Sequence, residues 1–246
     1  MIQESVQGLS AAALLEVWEQ GVGRHPIDQA LLLLRYAHPE ESFEALCEWT
    51  VGRRDAHVLD LRRHTIGDRI EAYAECPACR VGLEFELSCA ALLASAVTPD
   101  ATWTTVEQGG RSWELRGPNS RDLALAITAD NPEQARRIML SRCVRRVAGD
   151  DETPVWTEAN EVALAGQLGE LEPLAEVLID LQCEACGAQW QALFDIVTFF
   201  WSELHARSRR LLQEVDLLAR TYGWTEREVL RMSEQRRALY VEMALA

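Results

Sequence analysis

The sequence predicts an α+β fold in which helices at both ends flank a split, zinc-ribbon-like β element. Three observations predict it. Residues 69–88 and 177–194 share one plan: strand, CxxC turn, strand. The segments before and after them carry apolar residues at helical spacing. Between the two copies, an insertion of roughly 90 residues mixes hairpin and helix signals. The chain divides accordingly into a helical region (1–66), a split ribbon (67–195) with an insertion (90–176), and a C-terminal helical region (196–246).

Residues 9–49 read as helices. Leu14, Leu15 and Trp18 share a face, as do Ala30, Leu31, Leu34 and Arg35. Pro26 fits the first turn of the second helix, after a break at Gly21 and Gly23. A third helix spans Ser42 to Thr50 and stops before Gly52. The next segment starts helical and becomes extended after Gly67. In VGLEFELS, Leu83, Phe85 and Leu87 alternate with Glu84, Glu86 and Ser88, the period of a half-buried strand.

The insertion opens with a hairpin, TWTTVE and RSWELR around Gln108-Gly109-Gly110, where paired glycines permit positive φ. Asn119 or Ser120 caps the next helix; Asn131 and Pro132 start another that runs through VRRV. GDDETP reads as an exposed loop, followed by an acidic helical stretch interrupted near Gly169 and Pro173. Beyond the second copy, Phe194 to Ala219 forms a long amphipathic helix with a stripe of Trp201, Leu204, Leu211, Leu212, Val215 and Leu218. Gly223 ends it. Thr225 and Glu228 make a capping box for a short helix, and Ser233 caps the last one.

Composition narrows the classes of function. At 48% hydrophobic and 26% charged, the chain can bury a core. The N-terminus lacks a basic region and its apolar run is broken by Glu16 and Glu19, so no signal peptide is expected. No apolar stretch is long enough for a membrane span. All 24 basic residues are arginine, which suggests a GC-rich bacterial genome, and a cytoplasmic protein is expected. The net charge of -15 opposes general nucleic-acid binding and suits a basic protein partner.

The cysteines carry the clearest chemistry. Structural zinc takes four tetrahedral ligands and favours thiolates; a two-residue spacer brings both sulfurs of one turn to the same ion. Cys76, Cys79, Cys183 and Cys186 supply two such turns, separated by the 103 residues from Arg80 to Gln182. An odd count of seven cysteines opposes a full disulfide pairing, and a thioredoxin-like site needs a βαβ setting that is absent. Cys47, Cys89 and Cys143 sit among apolar neighbours and read as core thiols. A closed four-thiolate shell leaves no site for water or substrate, so the zinc is expected to be structural. It would tie the two strand pairs into one sheet and fix where the insertion emerges.

No catalytic constellation accompanies it. GxxxxGK[ST], GxGxxG, GxSxG and HExxH are all absent. His57 and His64 could share a helix face and read as packed or solvated residues. The tail resembles a helix-turn-helix in outline, but Glu226 and Glu228 occupy the turn that would face DNA. Trp224, Leu230, Tyr240 and Met243 are many large apolar groups for short helices; they pack onto the long helix or dock on a partner.

Several of these features together resemble a known family. They are the cysteine turn followed by an aromatic strand, Phe194-Asp195 and Trp201, Tyr222-Gly223-Trp224, Glu226, Glu228, Arg236-Arg237 and Tyr240. In this order they are similar to the baseplate hub assembly chaperones of T4-like phages, encoded in gene clusters for contractile tails and phage-tail-like injection systems. The resemblance covers roughly 190 residues and is weakest in the insertion. One departure stands out: Arg80 occupies a place in the first cysteine turn where glycine is expected. The resemblance implies a non-enzymatic assembly factor or minor component of a baseplate or tail. Its partners would be baseplate, hub or tail proteins, with no small-molecule substrate, and Trp224, Arg236, Arg237 and Tyr240 are the candidate partner surface. A zinc-ribbon nucleic-acid-binding or transcriptional regulator is the alternative, and a thiol-using hydrolase or redox enzyme a third reading.

Overall fold

Short polar side chains set the starts of the first helices. The computed structural model describes residues 7–94, 103–147 and 158–246. Ser10 accepts from the Ala13 N–H and starts Ala11–Gly21 (α1). His25 and Pro26 open Pro26–Ala37 (α2). Ser42 caps Phe43–Glu48 (α3), and Thr50 caps Val51–Thr65 (α4). The expected break at Gly52 is thus not one: Gly52 lies in the first turn of α4. A β-carbon there would strike the Glu172 carboxylate, which arrives from the far side of the insertion.

These helices enclose a core of leucines with Val17, Ala30, Trp49 and Val58. Ile196, Val197, Phe200, Trp201 and Leu204, from the far end of the ribbon, complete it. Fully burying each such side chain contributes about 2 kcal/mol. Arg62 is also buried, 1% exposed, because each of its guanidinium nitrogens finds a partner. Its guanidinium holds Glu203 at 2.7 and 3.0 Å and donates to the Gly67 and Arg69 carbonyls at 2.7 and 2.9 Å. It therefore anchors the base of the first hairpin to the helical body.

That hairpin pairs Arg69–Glu75 (β1) with Gly82–Ser88 (β2), Ala72 opposite Phe85. Cys89–Ala94 (α5) follows. In the insertion, Thr104–Gln108 (β3) pairs with Arg111–Leu115 (β4) through Gly109 and Gly110, whose φ values of 62° and 71° need glycine. Asn119 builds a capping box with Asp122 on Ser120–Ala126 (α6), and Asn131 caps Pro132–Cys143 (α7). Helix α7 stops there: Val144–Arg146 (β5), expected as helix, pairs with β4 instead. Glu158–Leu171 (α8) runs through Gly169 without interruption. The segment 149–154, expected as a loop, lies outside the described residues.

Trp113, Leu115, Leu140, Val144 and Leu164 form the insertion's own core. Beneath it, Asp122 is buried between Arg116 and Arg142. The insertion docks on the helical body through backbone: the Val51 N–H donates to the Pro118 carbonyl at 2.7 Å, and Thr50 bridges to Asn119.

The second hairpin pairs Val177–Gln182 (β6) with Gln189–Phe194 (β7), Ile179 opposite Ala192. Asp195 caps the long helix Ile196–Tyr222 (α9), which ends at Gly223 with φ 72°. Glu226–Leu230 (α10) and Glu234–Leu245 (α11) fold back on it, burying Val215, Leu218 and Val229. Leu212, expected in the stripe, is 37% exposed. The fold is α+β as expected. The two cysteine hairpins, however, form separate two-stranded sheets rather than one: no strand of one pairs with a strand of the other, and a cleft lined by Ala72, Phe85, Ile179 and Ala192 lies between them. Among the described residues no helix is long and apolar enough to cross a membrane.

Candidate metal centre

Each CxxC turn is built the same way. In the first, the Cys76 N–H donates to the Val81 carbonyl and the Arg80 N–H to the Cys76 carbonyl, both at 2.9 Å. In the second, the Cys183 N–H donates to Ala188 and the Gly187 N–H to Cys183, both at 2.8 Å. Closing this turn puts its fifth residue in the left-handed region. Gly187 meets that demand at φ 75°, and Arg80 meets it at φ 63°, the one non-glycine residue with positive φ among the described residues. The glycine-to-arginine departure thus leaves the turn's shape unchanged, at a cost of about 1 kcal/mol.

The two turns bring four sulfurs together. All Sγ atoms of Cys76, Cys79, Cys183 and Cys186 lie within 4.8 Å of one another. The closest approaches cross between hairpins, Cys76 to Cys186 at 3.7 Å and Cys79 to Cys183 at 3.6 Å. A tetrahedral ion with metal–sulfur bonds of about 2.3 Å sets its sulfurs about 3.8 Å apart, so the cluster fits such a shell. None of the seven cysteines is in a disulfide.

Electrostatics favours a cation. The N–H groups of Cys79 and Ala78 point at Cys76 Sγ and hold that thiol down to about 7. Val81 N–H does the same for Cys79, but hydrogen bonding to Cys183 and loss of solvent outweigh it and push that thiol up to about 12. Four thiolates so close cannot all ionise unaided, because each added negative charge raises the next pKa. A divalent cation removes the conflict and binds with release of protons. Cys76 and Cys183 are buried; Cys79 and Cys186 face solvent. The cluster can hold a metal ion, and with all four positions taken by sulfur it offers no place to a substrate.

The three other cysteines, Cys47, Cys89 and Cys143, are buried in the protein interior. The candidate partner residues divide. Arg237 is buried, its Nε on Glu214 at 2.6 Å, and so holds α11 to α9. Trp224 stacks on Tyr222 at 4.6 Å and meets Tyr240 edge-on at 4.7 Å, so both rings are half-buried in this small core. Arg236 is exposed above Tyr240. His64 bonds the Asp60 carbonyl, while His57 bonds His38 at 2.9 Å, and burial lowers its pKa to about 4. That histidine pair and the Arg62 anchor are missed in the sequence. An arginine on the leucine-lined face of α4 was the available signal for the anchor.

No family model, curated protein or solved structure matches this chain.

Proposed function

We propose that the four thiolates hold one structural zinc ion and that the protein acts by binding other proteins, without catalysis. Its place is as an assembly factor or minor component of the baseplate or tail of a contractile injection system, working in the bacterial cytoplasm. The observation that carries the stapling role is the convergence of four sulfurs from two sequence-distant hairpins that otherwise bury little against each other. An ion there sets the angle between two exposed ribbons, which is a scaffold's task. The baseplate setting rests on the ordered resemblance from Phe194 to Tyr240.

The test is co-purification of the tagged chain with the products of its own gene cluster. Baseplate, hub or tail proteins should be retained, and deleting the gene should reduce contractile particles seen by electron microscopy. Normal particle yield without the gene, or a salt-sensitive DNA complex as the sole retained species, would refute the assembly reading.

A further inference from the structure

The two cysteine hairpins leave an apolar cleft between them. Ala72, Phe85, Ile179, Ala192, Phe194 and Phe199 line it, in a volume of about 390 Å³. These six side chains are all only partly buried. Tyr73 and Leu193 stand at its margin, 62% and 64% exposed. Both hairpins are two-stranded, so each strand has one edge of backbone N–H and C=O groups unpaired by any further strand among the described residues.

Asp195 is the one charged residue in the cleft's lining, but the hairpins that flank it are net acidic. Residues 69–88 carry four carboxylates against two arginines, and residues 177–195 carry three against none, a net charge of -5. Both arginines are already engaged, Arg69 with Glu86 at 2.5 Å and Arg80 with Glu75 at 3.7 Å. Along β1 and β2 the cleft residues Ala72 and Phe85 alternate with Glu71, Glu84 and Glu86, so an added strand that alternates apolar and basic residues would meet an apolar floor on one face and carboxylates on the other. We infer that this cleft is the docking groove for such a segment of a partner protein, which adds as a strand and places its apolar side chains between the hairpins. The inference rests on the stapled, protein-binding reading above and names the partner's chemistry. The terminal helices are the weaker candidate, since their aromatic rings are filled by one another.

The experiment uses the full chain loaded with zinc and a fluorescein-labelled short peptide of alternating Val and Arg, followed by anisotropy. Saturable binding is expected. It should weaken by about tenfold or more when Glu replaces Arg, which reverses the charge complementarity. It should weaken similarly when alternate peptide amides are N-methylated, which removes strand addition. Ala192→Trp fills the cleft, and Phe85→Ser removes part of its floor; each should cost about tenfold in affinity with metal content unchanged. If Phe85→Ser loses metal, Ala192→Trp decides. Equal binding of all three peptides, unchanged affinity in Ala192→Trp, or no binding by metal-loaded protein would overturn the groove and leave the staple standing. A chain that never takes up metal would instead contradict the staple.

Discussion

The helical body and the two-hairpin arm are built by different means. In the body, α1, α2 and α4 bury whole leucine faces against the first half of α9. In the arm, Ile70 is the only buried residue of four strands. A two-stranded ribbon with no buried face is marginal in water, so something other than apolar burial must hold the arm in shape. The two buried cysteines at its tip, with their exposed partners, are the candidates. Burial specifies the body; metal–ligand bonds are proposed to specify the arm.

Removing the metal should separate the two most strongly. Bonding in comparable structural zinc sites is worth on the order of 10 kcal/mol. Chelation, or Cys183→Ser, should therefore abolish hydrogen-exchange protection in 69–88 and 177–194 while α2 and α4 keep theirs. Equal protection in both regions after metal loss would erase the distinction. The converse change is Phe200→Ala in the body, where the ring is fully buried. It should cost about 4 kcal/mol in denaturant unfolding and leave metal content unaltered.

Asp122 tests the insertion, which shares the body's logic. Burial opposes its charge, but Arg116, the Asn119 N–H and Arg142 prevail and hold the carboxyl at about 2. A depressed carboxylate stabilises above its unfolded pKa of about 3.9, and that share is lost as pH falls towards the folded value. Asp122→Asn should cost about 3 kcal/mol near neutral pH, a deficit that shrinks as the solution is acidified from pH 4 towards pH 2. A deficit constant with pH would show that the charge is not what matters. The smallest effect is expected at Arg80. Arg80→Gly relieves the left-handed strain and should raise the melting stability of the metal-loaded arm by about 1 kcal/mol. Destabilisation would mean that the Glu75 contact outweighs the strain.

Much of this was legible in the sequence, for local reasons. Asn119, Asn131, Thr225 and Ser233 act within three residues of themselves, so caps announce helices wherever they stand. The alternation in β2 and the CxxC pairs are equally local. What was missed is set by distant partners. Val144–Arg146 leaves its helix to pair with β4, and Gly52 is small for the sake of Glu172. His57 finds His38 across the fold. Nor does the repeat of strand, turn and strand reveal whether two hairpins join into one sheet or stay separate, because side-chain alternation is the same in both.

The most direct measurement is metal analysis of the purified chain combined with X-ray absorption at the zinc edge. One zinc per chain, bound by four sulfurs at about 2.3 Å, is the expected result. Protein grown with ample zinc that carries none, or an ion with oxygen or nitrogen ligands in its shell, would contradict it.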